Sequence, residues 1–493
     1  MRRVSILLTA ASVFALMSGI IQATPALAAS IKISSDPFTN STSQHMTEVE
    51  PDSFAFGQTI VAAVQSGRFF DGGASDVGFS TSKDAGASFT AGFLPGTTPF
   101  ASPPGPYQRV SDPSVAFDPK HNVWVILTLG LKANANDVIV SRSTDGGLTF
   151  QNPVVVAVGS SVTFFDKTWV TCDTTSTSPF FGNCYAQWDD AGSGNLMLMS
   201  TSTDGGLTWG PPKSTANNER GTIGGQPVVL GSGRVVVPFL GNFGVEAFNS
   251  TDGGNTWSTP VQVATVNYHG PAGGIRAPLP GPTAELVEPG GTQVFVAWSD
   301  CRFESGCSAN DIVLSVSGDG VSWSAVKRIP IDPIGSGVDH FLPGIAVQPK
   351  ATFSTPLSHL ALGYFFYPNT NCTQATCQLE VGYVFSTNGG GTWSAPQTLA
   401  GPMQLTWLAN TNQGRMVGDY MSTSYGLSHA FPVFASAVAP TGGSACALPP
   451  VVCHEDLFTS SQMGLSMGPG LPASAAGAHK FAPWHMKAGQ TAY

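Results

Sequence analysis

The fold of this chain is decided by the stretch Ser143-Thr144-Asp145-Gly146-Gly147-Leu148-Thr149-Phe150, which is one copy of a recurring octapeptide. The common form is S-x-D-x-G-x-T/S-W/F. The other copies, of which the last two are degenerate, begin at Ser82, Ser202, Ser250, Ser317 and Ser386. In this pattern the aspartate accepts hydrogen bonds from the backbone of a turn, the glycine adopts a positive φ, and the closing aromatic residue packs between neighbouring units. The repeat therefore predicts hairpin turns whose aspartates are structural rather than catalytic.

The segments between the octapeptides also repeat. Neighbouring copies lie about 61 residues apart, a longer period than the roughly 40–45 residues of WD40-type repeats. In one unit, apolar stretches predict four strands at residues 111–117, 123–127, 137–141 and 153–156. Similar sets begin near Glu50, Trp169, Gln226, Pro282, Leu342 and Met416. The chain is therefore predicted to be all-β, and the count favours seven four-stranded units over six.

The seventh unit differs from the others because it has no octapeptide. It contains the stretches 416–420, 431–434 and 456–458 and lacks a fourth strand. The segment from Ile31 to Ser34 is predicted to supply that strand, which would close a ring of units and remove its open sheet edges.

Six octapeptides in series resemble the Asp-box, or BNR repeat, of the sialidase (neuraminidase) superfamily. The resemblance covers the chain from about Asp84 to Trp393. In that family the box joins the third and fourth strands of each blade, so the resemblance implies a single β-propeller with Asp-box turns. The family's usual N-terminal F/Y-R-I-P motif is absent. The similar string from Lys327 to Pro330 follows the fifth copy on a predicted outer strand and is interpreted as a coincidental match.

The composition excludes several classes of partner. Of the 493 residues, 42% are hydrophobic and 11% are charged, and 21 Lys and Arg against 31 Asp and Glu give a net charge of -10. An acidic chain repels nucleic-acid phosphates and anionic membrane surfaces. We therefore expect no nucleic-acid partner. The resemblance to sialidases implies a carbohydrate partner, and we expect a monomer.

The first residues predict export. Arg2 and Arg3 precede an apolar run from Val4 to Ile21, and the small residues Ala26 and Ala28 follow, which is typical of a secretory signal peptide. No later stretch reaches the roughly 18 apolar residues of a membrane span. We therefore predict a signal peptide at 1–28, a secreted propeller at 29–463, and a tail rich in Gly, Ala and Pro at 464–493.

The eight cysteines lie as close sequential pairs, which favours local disulfides in an oxidising compartment. The predicted pairs are Cys172 with Cys184, Cys301 with Cys307, Cys372 with Cys377, and Cys446 with Cys453. A zinc site is disfavoured, because no C-x-x-C occurs.

In an antiparallel unit, the loops between second and third strands share a face with the connections between units. Charged side chains on that face are the candidate site. The resemblance to sialidases implies an arginine cluster that binds a sugar carboxylate, an Asp acid/base, and a Tyr nucleophile assisted by Glu. Carried onto this chain, the catalytic set is Tyr420, Asp71 and Glu219. The substrate-binding set is Arg68, Arg109, Arg276, Arg415, Asp166, Asp339 and His340. No cofactor or metal is predicted.

Two functions stay open. The first is a secreted, sialidase-like glycoside hydrolase that acts on a sialylated or other acidic glycan. The alternative is a secreted propeller that binds glycans or proteins without turnover, because a fold alone does not decide between them. A polysaccharide lyase that uses tyrosine and His340 on uronates is a third, weaker interpretation.

Overall fold

The structure is a computed structural model that describes residues 30–277, 283–286, 291–348, 358–426 and 429–460. The predicted signal peptide and the tail after residue 463 lie outside the described residues. Regular structure within the described ranges is almost entirely β, apart from short 3-10 turns such as Ala191–Ser193 and Leu405–Trp407. None of the described helices has the length and apolarity that a membrane crossing requires.

After β1 (Ser30–Lys32), the described strands follow one another as seven consecutive groups and one hairpin. Group 1 contains β2 (His45–Phe56), β3 (Thr59–Arg68), β4 (Ala74–Ser82) and β5 (Thr90–Phe93). Group 2 contains β6 (Arg109–Asp118), β7 (Val123–Leu131), β8 (Asn136–Ser143) and β9 (Val154–Ala157). Group 3 contains β10 (Phe165–Cys172), β11 (Cys184–Asp190) and β12 (Leu196–Ser202). Group 4 contains β13 (Val228–Val229), β14 (Val235–Gly241), β15 (Gly244–Ser250) and β16 (Val261–Ala264).

The remaining groups follow the same order along the chain. Group 5 contains β17 (Thr283–Leu286), β18 (Val294–Asp300), β19 (Asp311–Ser317) and β20 (Lys327–Arg328). Group 6 contains β21 (Asp339–Val347), β22 (Leu360–Tyr367), β23 (Gln378–Ser386) and β24 (Gln397–Gln404). The hairpin of β25 (Ala409–Thr411) and β26 (Gly414–Met416) precedes group 7, which contains β27 (Ser422–Gly426), β28 (His429–Ala437) and β29 (Val452–Ser460). The seventh group therefore begins six residues later than the predicted Met416, which belongs to the hairpin.

The first strands of successive groups contact one another. β2 contacts β6, β6 contacts β10, β10 contacts β13, β13 contacts β17, β17 contacts β21, and β21 contacts β27. β27 in turn contacts β2. Groups 1, 2 and 7 also share one continuous sheet, because β4 pairs with β6 at Ala74 and Val110 and β2 pairs in parallel with β29.

The hydrophobic core is distributed between the groups. One buried cluster joins Val77 of group 1 to Ile126 of group 2, and another joins Val64 of group 1 to Val433 and Leu457 of group 7. A buried cluster of this kind lies between every neighbouring pair of groups. Each group therefore covers its apolar faces only in the presence of its neighbours.

The N-terminal strand pairs with the last group, as predicted. In β1, Ile31 lies opposite Thr459 and Lys32 lies opposite Phe458 of β29. The Lys32 Nζ lies 2.7 Å from the Asp456 carboxylate in the same pair of strands. The described strand is Ser30–Lys32 rather than the predicted Ile31 to Ser34.

Group 3 departs from the predicted four strands. After β12, only a single bridge between Met199 and Lys213 marks the fourth position. Pro211 and Pro212 lie in this segment. Because proline has no N–H to donate, these residues cannot continue the ladder.

The octapeptides form the turns that the sequence predicts, each directly after the third strand of its group. In the second copy, Asp145 Oδ1 accepts the backbone N–H groups of Leu148 and Thr149 at 3.0 Å, and Ser143 Oγ accepts that of Gly147 at 2.9 Å. The closing Phe150 lies 4.8 Å from Phe79 of group 1, between ring centroids. The turn is therefore held by hydrogen bonds within the octapeptide and by an aromatic contact to the preceding group.

The four predicted disulfides are present. They join Cys172 to Cys184, Cys301 to Cys307, Cys372 to Cys377, and Cys446 to Cys453. All eight cysteines of the chain are described and none is free.

Candidate functional site

Charged side chains and one tyrosine from three groups and two connecting segments meet in one place, which we call the central cluster. It consists of Glu50, Arg68, Asp112, Asp166, Lys167, Arg276, Asp419 and Tyr420. Groups 1, 2 and 3 supply members from strands, whereas Arg276 precedes group 5 and the last two members precede group 7. No single sheet could position these residues, so the cluster depends on the packing of the groups.

Asp419 is the hub of the central cluster. It accepts Arg276 Nε at 2.7 Å and Arg276 Nη2 at 2.6 Å, a bidentate pair, and it also accepts Lys167 Nζ. Burial by itself would raise the pKa of Asp419, but Arg276 and Lys167 hold it well below its usual range. The carboxylate therefore stays ionised at all ordinary pH values. Its side chain is 13% exposed, against 1% for Arg276.

Glu50 has the opposite electrostatic environment. It is buried, and its carboxylate accepts the side-chain amide of Gln65, whose own carbonyl accepts Arg68 Nη1 at 2.6 Å. Burial, followed by the charges of Asp112 and Asp419, raises the pKa of Glu50 to about 8. At neutral pH Glu50 therefore holds a proton while Asp419 does not. Two carboxyl groups whose pKa values are pushed apart are a common arrangement in acid–base catalysis.

Tyr420 lies next to Asp419 in the chain and is partly exposed. Its hydroxyl donates to the carbonyl of Pro113 at 3.2 Å, and its ring meets Trp169 edge-on at 5.2 Å between centroids. Burial, together with the charges of Glu50 and Asp112, raises the pKa of the phenol well above its usual value. Tyr420 is therefore a neutral hydroxyl and an aromatic surface at the edge of the central cluster.

The backbone at the central cluster is strained. Glu50, Asp112 and Lys167 have φ values of 57°, 50° and 51°, in the left-handed region that side chains rarely adopt. Each lies at a bulge in the first strand of its group, where the register with the second strand shifts. Such strain costs about 1–3 kcal/mol per residue and concentrates at functional sites. At these bulges the neighbouring groups contribute their charged residues to the same region.

Of the residues proposed from the sequence, four belong to the central cluster: Arg68, Asp166, Arg276 and Tyr420. Asp71 and Arg109 instead form their own ion pair at 2.6 Å, with the guanidinium 4.5 Å from the centre of the Phe69 ring. Burial by itself would raise the pKa of Asp71, but the hydrogen bond and the charge of Arg109 hold it below its usual value. An exposed, ionised Asp71 is a poor proton donor at neutral pH.

Two further candidates lie in other surroundings. Arg415 Nη1 donates to the carbonyls of Leu408 and Cys446, both at 2.9 Å. Glu219 accepts the side-chain amide of Asn217 at 2.5 Å on the loop after group 3. In the described part of the chain, no hydrogen bond joins Glu219 to Tyr420, so the structure gives no contact for the predicted activation.

Asp339 and His340 lie at the start of group 6. Asp339 Oδ1 accepts both the backbone and the side-chain amide of Asn310, at 2.8 and 2.9 Å. His340 lies in a separate set with Asp311, which is also buried, and the half-buried Asp332. One potential ligand atom from each of the three lies within 4.8 Å of the others. Among the described residues, this is the one set of three that could hold a metal ion.

Four members of the central cluster were not proposed from the sequence: Glu50, Asp112, Lys167 and Asp419. A signal for two of them is a recurring X-Pro dipeptide at the first strand of several units: Glu50-Pro51, Asp112-Pro113, Gln226-Pro227 and Leu342-Pro343. Because the residue before each proline occupies the same place in its unit, charged residues at that position converge. Neither Lys167 nor Asp419 precedes a proline, so this pattern does not identify them.

No protein-family model matches this chain, and no curated protein matches it significantly. Among solved structures, "Hadza microbial sialidase Hz136" has a TM-score of 0.45 at 12% identity, over 89% of this chain and 93% of that one. An alpha-L-arabinofuranosidase, Arb93A from Fusarium graminearum, gives 0.44 at 12% identity, over 72% and 98%. The intramolecular trans-sialidase from Ruminococcus gnavus gives 0.40 at 13% identity, over 86% and 96%. Likenesses this distant carry no information on the chemistry of this chain.

Proposed function

We propose that this chain is a secreted, sialidase-like glycoside hydrolase that acts on an extracellular glycan at the central cluster. One observation carries the proposal: side chains from three strand groups and two connecting segments converge, with Asp419 and Tyr420 partly exposed beside buried charged residues. A convergence of this kind, with carboxyl groups of opposite pKa shift, is typical of catalytic sites.

The supporting architecture is a closed propeller of seven blades over residues 29–463. In this interpretation each strand group is one blade, and β1 completes the last blade by pairing with β29. The cycle of contacts between first strands supports closure, because it returns from β27 to β2. The first strands then surround the axis, and their bulges place Glu50, Asp112 and Lys167 at its mouth.

The residues of the central cluster have distinct roles in this proposal. Tyr420 attacks the anomeric carbon as the glycosidic bond breaks, and Glu50 accepts the phenolic proton and returns it through solvent to the oxygen of the departing aglycone. Water then hydrolyses the tyrosyl–sugar bond, which releases the sugar and restores the Tyr420 hydroxyl. Asp419, held ionised by Arg276 and Lys167, stabilises the positive charge that develops on the sugar. Because burial raises the pKa of Glu50 to about 8, turnover is expected to increase as the pH approaches 8.

Secretion is part of the proposal. Four disulfides are expected of a protein that folds in an oxidising compartment. We infer that residues 1–28 direct export and are then removed, and that the mature protein acts as a monomer.

The second candidate is a propeller that binds glycans without turnover. It is favoured by a specific observation: Arg276 and Lys167 are already bonded to Asp419, and the Tyr420 hydroxyl is bonded to Pro113. Because these polar groups are already hydrogen-bonded within the protein, a ligand in this interpretation contacts the cluster only at its edge, through the rings of Tyr420 and Trp169.

A hydrolysis screen tests the proposal. The secreted protein is assayed on aryl glycosides of neutral sugars and on aryl sialosides, whose good leaving groups need little help from a proton donor. We expect turnover of at least one member and a loss of about 10³-fold or more in Tyr420→Phe. Tyr107→Phe is the matched control, because it removes a phenol that is bonded to Asp137 outside the cluster.

The two candidates give different results. Retention on a glycan array without turnover of any glycoside would favour the binding protein. Turnover that Tyr420→Phe leaves unchanged would contradict the assignment of the nucleophile.

A further inference from the structure

A second polar centre lies between groups 5 and 6, apart from the central cluster. Asp311 begins β19, Asp332 lies in the loop after β20, and His340 follows the first residue of β21. The Asp311 and His340 side chains are buried, whereas Asp332 lies under an exposed loop that spans residues 333–336. Solvent therefore has access to this centre from the Asp332 side.

Arg328 anchors the two aspartates. Its Nε donates to Asp311 Oδ1 at 2.7 Å, and its Nη2 donates to Asp332 Oδ1 at 2.7 Å. The second oxygen of Asp311 is buried and has no hydrogen-bond partner among the described residues. A buried carboxylate oxygen without a partner is costly, so it indicates a ligand or a proton at that atom.

The imidazole of His340 is oriented for coordination. Its Nδ1 lies 3.2 Å from the carbonyl of Asn310, and a carbonyl only accepts, so Nδ1 carries the hydrogen. With the hydrogen on Nδ1, Nε2 is the ring nitrogen whose electron pair can bind a metal ion. Metal-bound histidines usually donate their other ring N–H to a carbonyl or carboxylate in this way.

Acidic side chains outnumber basic ones at this centre. Glu304 and Asp332 both act on Asp311, so three carboxylates face the single positive charge of Arg328. Glu304 is also buried, and it accepts the backbone N–H of Gly335 at 2.9 Å from the loop that follows Asp332. The excess of carboxyl groups over guanidinium groups favours a bound cation.

We propose that Asp311 Oδ2, Asp332 and His340 Nε2 bind one divalent transition-metal ion, and Zn²⁺ in preference to Ca²⁺ or Mg²⁺. The preference follows from the imidazole, because Ca²⁺ and Mg²⁺ take oxygen ligands almost exclusively. The ligand atoms lie within 4.8 Å of one another, whereas ligands of a tetrahedral ion at about 2.1 Å lie about 3.4 Å apart. The loop of Asp332 therefore closes by roughly 1 Å when the ion binds.

The role of the ion is to join group 5 to group 6. Asp311 and Asp332 belong to the fifth group and its following loop, and His340 belongs to the first strand of the sixth. An ion that binds the folded protein but not the unfolded chain raises the unfolding temperature.

Zinc titration tests the site. The full-length protein is treated with a chelator, dialysed, and titrated with ZnSO₄ in competition with a zinc indicator, and bound metal is counted by mass spectrometry. We expect one zinc per chain, a higher unfolding temperature with zinc, and at least a 10-fold weaker affinity in Asp332→Asn and in His340→Gln. Asp319→Asn is the matched control, because it removes the same charge at an octapeptide turn and should bind like the parent.

Several results would overturn the proposal. One is the absence of stoichiometric zinc in the parent protein. Another is an equal affinity in Asp332→Asn, which would place the zinc on other histidines of the chain. A preference for CaCl₂ over ZnSO₄ would contradict the imidazole assignment. Unfolding temperatures measured in chelator show that each variant is folded. Asp332→Asn, whose side chain is at the exposed edge, keeps the test decisive if His340→Gln does not fold.

Discussion

The octapeptide turns and the central cluster both depend on aspartates, but these aspartates have opposite surroundings. Asp145 is exposed, and its carboxylate accepts only local donors within the turn. Asp419 is largely buried, and its partners Lys167 and Arg276 lie more than a hundred residues away in the chain. The turn is repeated and locally encoded, whereas the cluster exists once and depends on the whole fold.

The difference also appears in how the two regions titrate. Burial by itself would raise the pKa of Asp145, but hydrogen bonds from Thr149 lower it to about 2. Buried Asp52 and Glu48, which have no bonded cation, have pKa values raised by burial to about 7 and about 8. In this chain, an aspartate that recurs at the same position of each octapeptide indicates a structural turn. A buried carboxyl group outside the repeat is the better candidate for a catalytic role.

The largest expected effect is at the hub of the central cluster. Asp419→Asn leaves Arg276 and Lys167 buried without their partner carboxylate, so we expect a loss of about 3–5 kcal/mol in the free energy of unfolding. Urea denaturation measures it. A loss below about 1 kcal/mol would mean that the cluster does not depend on this carboxylate and would remove the contrast with the turns.

The second effect is a pH dependence of stability. Asp52 and Glu48 keep a proton in the folded state up to pH values near 7 and 8, whereas the unfolded chain loses it near pH 4. Their contribution is therefore fully present below about pH 4 and is lost as the pH rises toward 8.

We expect the free energy of unfolding to fall by at least about 2 kcal/mol between pH 5 and pH 8. Denaturation at fixed ionic strength across this range measures the change. A stability that stays constant or rises across this range would show that Asp52 and Glu48 do not keep their protons in the folded state.

The smallest effect is at the turns. Asp145→Ala removes hydrogen bonds at an exposed site, so we expect a loss of only about 0.5–1.5 kcal/mol. Asp204→Ala, with the same contacts in the next copy, should behave alike. Thermal unfolding of both variants checks this, and a loss above about 3 kcal/mol in either would show that a turn holds its neighbouring groups together.

Much of the fold could be predicted because its signals are local. Each octapeptide encodes its own turn through Ser, Asp and Gly, and the apolar stretches between copies encode the strands. The pairing of Ile31 with β29 was also predictable, because the last unit lacked a strand and the N-terminus offered one. The absence of a fourth described strand in group 3 follows from Pro211 and Pro212, which the sequence shows directly.

The candidate site was only partly predictable. The resemblance to sialidases implies Tyr420 and Arg276 as site residues, and the structure brings them together through Asp419. Arg415 and Glu219 satisfied the same criterion but bond to nearby groups. Convergence depends on where a bulge points a side chain, and the sequence indicates bulges only where a proline follows, as after Glu50 and Asp112.

The central claim is that the cluster carries the function and the turns carry the structure. It is tested most directly by kcat/KM on one hydrolysed glycoside, measured for Tyr420→Phe and Asp145→Ala at equal concentrations of folded protein. We expect Tyr420→Phe to lose about 10³-fold or more with little change in stability, and Asp145→Ala to retain the parent value within about twofold. Full activity in Tyr420→Phe together with a large loss in Asp145→Ala would contradict the account.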